Sequence, residues 1–415
     1  MKVTFDKAKL LAGLLPASGI SQVKNTLTTV EGLLFECPPR EKYGEFEGDL
    51  SSTCRISAFD LDKGLQTTVE CRIEEEGIYC INTSKILQIV RVMPDGDVTI
   101  EIDDRNRVKV TGGQSSFEIT AQNGMDFPTM PKFVGERVYQ IPQHIIRDII
   151  AETVFAVGQN DPRPAFNGAL FRIRDGVLTV VGCDGNRLAA ANTELPAGAA
   201  DAEMVIPGKF LMELGKMLRD SEDELTMIIG RKHIIFHIDD VWFFTRMIDA
   251  EFMKYEKFLP STYRLQCYVS PGELSGAIER ASLITEDKLG GNSKPFVKLS
   301  FESDSRSIAI SSVSAGGSVF ERVPCAMEGE DMAIGFNCRL LVDAIRAIPA
   351  DTEMLRIRLN SPLMGIVIEP AGGTSFVDAS PEPEVFGERQ LDVKGKDRDG
   401  GKEYMYFVMP LRMNK

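Results

Sequence analysis

The sequence predicts an α+β protein built from three similar domains. One segment pattern occurs three times: a short apolar strand end, a basic amphipathic stretch, an acidic turn and a further strand, starting at Ile81, Ile206 and Ile334. These starts lie 125 and 128 residues apart. That period is close to the common domain size of about 100–150 residues and exceeds the about 20–50-residue units of solenoids. The repeat therefore predicts three copies of a whole domain.

Each copy opens with another helix and continues with alternating strands. The opening helices are expected in segments beginning at Asp6, Gln143 and Gly272. Apolar runs of period two follow, separated by turn signals such as Asp175-Gly176. We therefore expect strand, helix and three strands, twice over in each domain, with helices on one face of antiparallel sheets. The predicted domains are residues 1–135, 136–262 and 263–415.

Composition narrows the class of protein. At 43% hydrophobic residues, the chain can bury a core in every domain. No apolar run approaches a membrane span, and Met1 begins structure at once, so we expect neither a signal peptide nor a membrane partner. The eight cysteines include no CxxC pair, which favours reduced thiols in a cytoplasmic protein. The net charge of −14 argues against general adhesion to nucleic acid, so the location of positive charge becomes decisive.

Positive charge recurs on the predicted helices. In each copy the second helix has two basic residues six or seven positions apart, about two helical turns, so that each pair lies on or close to one stripe. The pairs are Lys85 and Arg91, Lys209 and Lys216, and Arg339 and Arg346. The opening helices and the loop after the first add Lys7, Lys9, Lys24, Arg147 and Arg280.

These basic stripes have two interpretations. A solvated helix face explains any single stripe, but recurrence in all three copies favours a shared basic surface. Lysine and arginine would bind phosphates there, because no helix-turn-helix, zinc finger or RNA-binding motif accompanies them. Binding is then expected to be salt-sensitive and indifferent to base sequence.

Signals for enzyme chemistry are weak. His233 and His237 have metal-like spacing, but they fall in a β-rich run, where four residues span roughly 13 Å. That distance is too long for one metal ion. The segment Gly290–Lys294 lacks the order of a phosphate-binding loop and is expected to be a surface loop. No Ser/His/Asp or Cys/His set is present, so we predict no catalytic residue, no metal and no cofactor.

The C-terminal segment 404–413 is apolar and rich in methionine. A last strand of the third domain explains part of this pattern. Methionine also suits a surface that accepts several partners, because its thioether side chain repacks at low cost. We therefore expect a groove that receives short apolar peptides.

Four motifs carry a resemblance to a known family: the opening MKVTFDKAKLLAGL, the run from FNGALF to VGCDGNRLA at 166–189, IGFN at 334–337 and VMPLR at 408–412. On these motifs the chain resembles the β subunit of bacterial DNA polymerase III, the sliding clamp, over essentially all 415 residues. The resemblance implies three DNA-clamp domains per chain, with antiparallel sheets outside and two helices per domain on the inner face. It further implies a head-to-tail homodimer that closes a six-domain ring.

The same resemblance implies a function without chemistry of its own. A clamp is a processivity factor that encircles duplex DNA, slides without sequence preference and tethers the replicative polymerase. The implied partners are double-stranded DNA, a second copy of the chain, the DNA polymerase III alpha subunit and the clamp loader. Other DNA polymerases and repair proteins that carry a clamp-binding peptide complete the set.

Individual positions follow from matching the family motifs. Contact with DNA is implied for Lys24 and Asn160 in loops, and for Lys209, Lys216, Arg339 and Arg346 on helices. The peptide groove is implied at Phe166, Cys183, Gly185, Asn186, Arg187, Leu188, Lys257, Phe258, Leu363, Gly365, Phe407, Val408, Met409, Pro410, Leu411 and Arg412. The dimer seam is implied to bring Phe117 and Ile119 of one subunit against Leu283 and Ile284 of the other.

The chain also departs from the family pattern. Asn186 stands where histidine is frequent and Met253 where proline is frequent, which leaves the preferred partner motif open. Insertions at 37–53 and 374–403 are expected to be mobile polar loops.

Two other classes of protein remain as alternatives. A nucleotide-processing hydrolase with scattered metal-binding carboxylates would show metal-dependent turnover. A scaffold that binds only proteins would tolerate charge reversal at Lys209 and Arg339. The repeat and the basic stripes favour the clamp over both.

Overall fold

The computed structural model describes residues 1–20, 28–38, 52–132, 135, 137–195, 199–260, 262–285, 296–314, 316–371 and 403–411. Lys24, Arg412 and the predicted surface loop at 290–294 lie outside these ranges. So do residues 39–51 of the first predicted insertion and all but the last residue of the second.

The first sequence copy folds as predicted, as strand, helix and three strands, twice over. Its elements are β1 (Lys2–Asp6), α1 (Lys7–Ser18), β2 (Gly32–Cys37), β3 (Ser52–Phe59), β4 (Lys63–Glu75), β5 (Gly77–Asn82), α2 (Thr83–Val92), β6 (Asp97–Ile102), β7 (Arg107–Gly112) and β8 (Ser115–Asn123). Both helices begin after a side chain that accepts a backbone N–H of the first turn, Asp6 from Lys9 and Asn82 from Lys85, each at 3.1 Å. Such caps satisfy a donor that has no partner within the helix.

The second copy repeats this order. Its elements are β9 (Arg137–Pro142), α3 (Gln143–Thr153), β10 (Gly168–Arg174), β11 (Val177–Cys183), β12 (Arg187–Glu194), β13 (Ala202–Pro207), α4 (Gly208–Met217), β14 (Glu224–Ile229), β15 (His233–Ile238) and β16 (Val241–Arg246). The predicted Asp175-Gly176 turn joins β10 to β11, with φ of 50° and 78°. Positive φ at both central residues is what a tight two-residue hairpin requires.

The third copy adds one short strand to the predicted order. Its elements are β17 (Leu265–Val269), α5 (Pro271–Thr285), β18 (Phe296–Glu302), β19 (Ser307–Ser314), β20 (Gly317–Pro324), β21 (Ala326–Gly329), β22 (Met332–Asn337), α6 (Cys338–Arg346), β23 (Leu355–Leu359), β24 (Ile366–Pro370) and β25 (Glu403–Val408). The unexpected strand β21 pairs with β17 in antiparallel register. An Asn cap recurs here, because the Asn337 side chain accepts the Arg339 N–H at 3.1 Å.

The chain divides into two units, each containing part of the predicted central domain. The first unit consists of residues 1–143 and 216–247. Its twelve strands follow the order β1-β6-β7-β8-β5-β2-β3-β4-β16-β15-β14-β9. Strands β4 and β16 pair from Lys63↔Thr245 to Thr67↔Val241, which explains why residues 216–247 group with the N-terminal segment.

The second unit consists of residues 144–215 and 248–415. It holds a nine-stranded sheet, in the order β13-β10-β11-β12-β25-β24-β23-β17-β21, and a four-stranded sheet, β20-β19-β18-β22. Strand β25 pairs with β12 on one side and with β24 on the other, both antiparallel. Helix α5 covers the four-stranded sheet.

The helices pack one apolar face and expose the other. Helix α2 buries Ile86, Leu87, Ile89 and Val90, and α6 buries Leu341, Val342, Ala344 and Ile345. Helix α1 approaches β4 closely at Gly13, where an added Cβ would lie 2.5 Å from Val69 Cγ2. The three-to-four-residue spacing of the buried positions is the expected amphipathic pattern.

The joint between β4 and β16 provides a test of this packing. A Cβ added at Gly64 would overlap the Phe244 ring and lie 2.9 Å from Ala58 O. We expect Gly64→Ala to lower the free energy of unfolding by about 1–3 kcal/mol, because overpacking forces neighbours out of place. Urea unfolding followed by circular dichroism measures the change.

Gly272→Ala is the matched control, because no atom lies within 4 Å of the added Cβ and the site is in the first turn of α5. We expect it to be neutral or stabilising by less than about 1 kcal/mol. Equal midpoints for the two variants would contradict the packing described at Gly64.

Candidate functional site

The basic residues of α2 are both exposed, but they do not share a stripe. Lys85 and Arg91 are six residues apart, which at about 100° per residue places them about 120° apart around the helix axis. They therefore lie at opposite edges of the exposed face. The expectation that this pair lies close to one stripe is wrong for that geometric reason.

The basic residues of α4 and α6 fulfil the stripe prediction. Lys209 and Lys216 are exposed on α4, and Arg339 and Arg346 on α6. A seven-residue spacing leaves the members of each pair only about 20° apart. The Arg346 Nε donates to Glu279 Oε1 at 3.1 Å, so part of the charge of α6 is already balanced by α5.

Several cations of the opening helices are held by nearby carboxylates. Lys7 pairs with Asp95 at 3.0 Å, and Arg147 pairs with its neighbour Asp148 at 2.8 Å. Lys9 pairs with Glu70. Ion pairs at the surface contribute little to stability, because water and salt screen them. They nevertheless reduce the positive charge available to a ligand.

Arg280 is held most firmly of these cations. Its Nε and Nη2 donate to the two carboxylate oxygens of Glu321 on β20 at 2.8 and 2.6 Å. The carboxylate raises the pKa of Arg280, and the guanidinium lowers that of Glu321. This two-point contact joins α5 to β20 and does not favour the predicted DNA contact of Arg280. By contrast, Lys85, Arg91 and Lys209 form no ion pair with another described residue.

Asn160 is exposed in the loop between the 3₁₀ turns Val154–Ala156 and Pro164–Asn167. Its φ of 57° lies in the left-handed region, which asparagine tolerates better than most residues. The loop therefore presents an amide side chain on a defined backbone turn.

Four of the predicted groove residues lie in one hydrophobic cluster of the second unit, here called the junction cluster. Phe166, Cys183, Leu188 and Phe407 are buried in it. Its other buried members are Ala165, Leu170, Val181, Ala190, Val205, Phe252, Tyr255, Val367 and Met405, with Met253 and Leu259 packed against them. Residues about 240 positions apart in sequence thus form one apolar surface.

Strand β25 supplies the centre of the junction cluster. Phe407 pairs with Leu188 on β12 and with Val367 on β24. Beyond the strand end, the backbone N–H of Met409 donates to Asn186 O at 2.8 Å, and that of Leu411 donates to Gly335 O at 2.8 Å. These bonds hold the segment that follows β25, including Pro410, against neighbouring backbone.

Exposed apolar side chains adjoin the junction cluster in sequence. Leu363 is 73% exposed and Met364 39% in the turn before Gly365, where an added Cβ would overlap the Phe407 ring. Phe258 is 62% exposed at the end of the 3₁₀ turn Tyr255–Phe258, next to Lys257, and Met409 is 41% exposed. Apolar groups exposed around a packed apolar cluster are typical of a protein-binding surface.

Arg163 covers one side of the junction cluster. Its guanidinium lies 3.8 Å from the centre of the Phe166 ring, and its Nη2 would be 2.9 Å from a Cβ added at Gly185, whose φ is 86°. Asp161 accepts from Arg163 Nε and Nη2 at 2.9 Å each. These bonds lower the pKa of Asp161 to about 2, so the pair stays charged above that pH. The φ of Gly185 favours glycine at this position, whereas the guanidinium is the end of a flexible side chain that could move away from a Cβ.

Cys183 lies at the floor of the junction cluster beside Met253, with 3.9 Å between the two sulfurs. The Gly185 N–H donates to Cys183 Sγ at 3.4 Å. Burial raises the pKa of the thiol. Cys183 is therefore a neutral packing residue near physiological pH.

Arg187 connects β12 to α6. Its Nη1 donates to Asp343 Oδ2 at 2.6 Å, its Nη2 to Phe155 O at 2.7 Å and its Nε to Asp184 Oδ2 at 3.1 Å. The Arg187 side chain is largely buried, whereas the Asp343 side chain is 44% exposed. Arg187 therefore acts in the structure by holding α6 against the rim of the junction cluster.

The strands of the predicted dimer seam, β8 and β20, each have an unpaired edge among the described residues. Residues 115–120 of β8 pair with β7 on one side only, and Phe117 is 37% exposed there with Ile119 partly exposed. Strand β20 is the edge of the four-stranded sheet. At Gly317, the first residue of β20, an added Cβ would lie 3.7 Å from Ile284 Cδ1 of α5. The neighbouring Leu283 is 70% exposed.

The described residues contain no group of three or more His, Cys, Asp or Glu side chains that could hold a metal ion. His233 and His237 lie on strand β15, as the sequence predicts, and His237 stacks on Trp242 with ring centres 3.9 Å apart. None of the described helices is long and apolar enough to span a membrane.

Sequence reasoning missed three contributors to this site: Asp161, Arg163 and Asp343. The Asp-Pro-Arg-Pro run at 161–164 held a usable signal, because an acid and a base two residues apart between prolines favour a local ion pair. Asp343 had no such signal, since its partner Arg187 is 156 residues away.

Comparison with known proteins gives consistent matches along the chain. Sequence models of the DNA polymerase III beta subunit match its N-terminal domain to residues 1–131, its central domain to 140–254 and its C-terminal domain to 256–380. The beta sliding clamp of Halalkalibacterium halodurans is 28% identical over 316 residues, 75% of this chain and 80% of that protein. The beta sliding clamp of Staphylococcus aureus is 27% identical over 305 residues, 73% of this chain and 79% of that protein.

A solved structure extends the likeness to the whole chain. The crystal structure of a putative DNA polymerase III beta subunit from Eubacterium rectale superposes with a TM-score of 0.84 at 25% identity and covers all of both chains. The repeated order of elements and these matches define a chain of three DNA-clamp domains. The chain belongs to the DNA polymerase III beta subunit family, the beta sliding clamps, which are non-catalytic processivity subunits.

The bonds of Arg187 predict a large effect of its removal. We expect Arg187→Ala to lower the free energy of unfolding by about 2–3 kcal/mol, because it removes a largely buried guanidinium that binds the Phe155 carbonyl and the carboxylates of Asp184 and Asp343. Arg163→Ala is the control, since Arg163 is 57% exposed and an exposed ion pair contributes little to stability. Thermal unfolding of both variants measures the difference, and similar losses would contradict the structural role of Arg187.

Proposed function

We propose that two copies of this chain close head to tail into a ring around duplex DNA and act there as a processivity clamp for the replicative polymerase. The observation that carries this proposal is the pair of free sheet edges with exposed apolar neighbours, β8 with Phe117 and β20 with Leu283. Isolated edges of this kind invite unwanted pairing. Pairing of β8 of one copy with β20 of the other would satisfy both, and two such contacts would close a dimer.

Basic residues on the helices support contact with the DNA backbone. Lys85, Arg91 and Lys209 are exposed and carry no ion pair within the described residues, in a chain of net charge −14. Lys216, Arg339 and Arg346 extend the stripes of α4 and α6. A few phosphate contacts give weak, sequence-independent binding that permits sliding. Residence on DNA would then come from encirclement rather than from affinity.

The domain boundaries at 135 and 262, and a cytoplasmic location, belong to the same proposal. The free thiols of all eight cysteines agree with a reducing compartment. Proposed partners are the clamp loader, the DNA polymerase III alpha subunit, and other polymerases and repair proteins that carry a clamp-binding peptide.

The junction cluster is the proposed binding groove for those peptides. Phe258, Leu363, Met364 and Met409 supply exposed apolar area beside it. Met364 and Met409 adapt easily to different side chains, because thioethers repack at low cost. The exposed cations Lys254 and Lys257 flank the same surface in sequence.

Topological retention tests the clamp mechanism. After loading by the clamp loader at raised salt, we expect the protein to stay on circular duplex DNA and to leave the same DNA once it is linearised. Ionic binding alone would release both forms as salt rises. Gel filtration of labelled protein with each DNA measures retention.

Leu283→Lys should abolish retention on circles by charging the proposed dimer seam, whereas Val92→Lys should not. Val92 is the matched control, because its side chain is 71% exposed and that of Leu283 is 70% exposed. Equal release of the wild-type protein from circular and linear DNA would exclude encirclement and return the scaffold and hydrolase alternatives to consideration.

Peptide binding tests the groove independently of the ring. We expect Leu363→Asp to weaken binding of a fluorescent clamp-binding peptide of the DNA polymerase III alpha subunit by about tenfold or more, because it removes roughly 1.5–3 kcal/mol of apolar burial. Fluorescence anisotropy gives the affinity. Val92→Asp, equally exposed but on α2, should bind like the wild type. Unchanged affinity of Leu363→Asp would place the peptide elsewhere.

A further inference from the structure

Two thiols at the end of a strand pair lie unusually close. All eight cysteines are buried and none forms a disulfide. Cys37, the last residue of β2, and Cys54, on β3, have their sulfurs 3.4 Å apart. Cys37 is 2% exposed and Cys54 is fully buried. Neither residue belongs to the DNA, groove or dimer surfaces described above.

The strand register places these two cysteines directly opposite each other. Strands β2 and β3 pair as Leu34↔Ser57, Phe35↔Ile56 and Glu36↔Arg55, so the next pair is Cys37 with Cys54. Directly opposed residues of antiparallel strands have Cα atoms about 4.5–5.5 Å apart. That spacing falls within the range of about 4.4–6.8 Å that disulfides require. Closing the bond needs only rotation of side chains.

The other close thiols are not directly opposed. On β4, Val69 is opposite Cys54, and Cys71 is two residues further along, opposite Ser52. On β17, Cys267 is opposite Met327 on β21, so Cys325 is also diagonal to it. Diagonal neighbours are about 7–8 Å apart, beyond the usual reach of a disulfide. The Cys37–Cys54 pair therefore has the best geometry in the described part of the chain.

We propose that Cys37 and Cys54 form a dithiol modification site, at which a small disulfide oxidant such as oxidised glutathione produces an intramolecular disulfide. The bond would close a covalent loop around the 16 residues 38–53. These residues belong to the first of the two insertions relative to the family pattern. It would also fix the register of β2 and β3 at that end of the sheet.

The reaction is a thiol–disulfide exchange in two steps. One cysteine loses its proton and attacks a sulfur of the oxidant, giving a mixed disulfide and one glutathione thiolate, which takes up a proton. The second cysteine then attacks the protein sulfur of the mixed disulfide and releases the other glutathione. Two protein thiols are oxidised, one oxidant disulfide is reduced to two thiols, and the electrons balance.

Access to the thiols comes from the end of the strand pair. Exposed residues adjoin both cysteines, Pro38 after Cys37 and Thr53 before Cys54. Burial and the neighbouring Cys37 raise the pKa of the Cys54 thiol well above its usual value, so the closed sheet reacts slowly. Local opening of the strand end, which costs less than global unfolding, sets the rate.

Peptide mapping of the full-length protein tests the site. The protein is incubated with oxidised glutathione at neutral pH, with and without urea well below the unfolding midpoint, then alkylated and digested. We expect a peptide pair joined through Cys37 and Cys54 to appear before any other cross-link, faster in urea, and to disappear on reduction with dithiothreitol. The free-thiol count should fall by two, and the thermal transition should rise, because the bond restricts the unfolded chain.

Cys54→Ser should remove both the cross-link and the rise in the thermal transition. Cys80→Ser is the control in the same sheet, because the Cys80 thiol donates to Thr29 O at 3.2 Å and faces no other thiol so closely; it should keep both effects. A first cross-link between Cys54 and Cys71, or between Cys267 and Cys325, would overturn the assignment. So would the absence of any Cys37–Cys54 bond in urea while the native circular dichroism persists.

Discussion

The central ladder of the second unit, β12-β25-β24, is the interaction on which the candidate binding surface depends. Strand β25 follows a long sequence separation from β24, yet both of its edges are hydrogen-bonded, to Arg187–Asn192 on one side and to Ile366–Ile368 on the other. Backbone groups buried in a sheet must be paired, so a central strand has no freedom to shift without losing both ladders. That constraint fixes Phe407 within the junction cluster and carries the segment beyond Val408 to its bonds with Asn186 and Gly335.

The positively charged residues of the helices fall into two groups, those paired with carboxylates and those with no ion pair among the described residues. Several cations on α1, α3 and α5 are held by nearby carboxylates, and Arg280 in particular joins α5 to β20. Lys85, Arg91 and Lys209 on the second helices form no such pairs with described residues. A sliding protein benefits from few mobile contacts, because each additional phosphate contact raises both affinity and friction on the duplex. The net charge of −14 agrees with a small number of DNA contacts, because negative charge opposes adhesion of DNA to the rest of the surface.

Local sequence patterns predict most of the fold. The strand and helix order, the Asp175-Gly176 turn and the exposure of the α4 and α6 cations could all be predicted from period and turn chemistry. Strand partners across long separations could not, which is why the division of residues 136–262 between two units and the short strand β21 were missed. Contacts across long sequence separations were also missed at the site. Arg187 was expected in the groove, but its bond to Asp343 depends on packing between β12 and α6, which local patterns do not reveal. The stripe expected on α2 failed for a simpler reason, because six residues are not a whole number of turns.

The way each unit is assembled from separate stretches of chain has a consequence for synthesis on the ribosome. Strand β4 cannot gain its partner β16 until residue 246 has been made, and β12 waits for β25 at residue 408. At about 5–20 residues per second, the interval between β12 and β25 alone lasts about ten seconds or more, during which an apolar strand lacks its neighbour. The three sequence repeats are therefore not independent steps of folding. The central one is completed only by what precedes and follows it, and β25 joins β12 to β24 in the nine-stranded sheet.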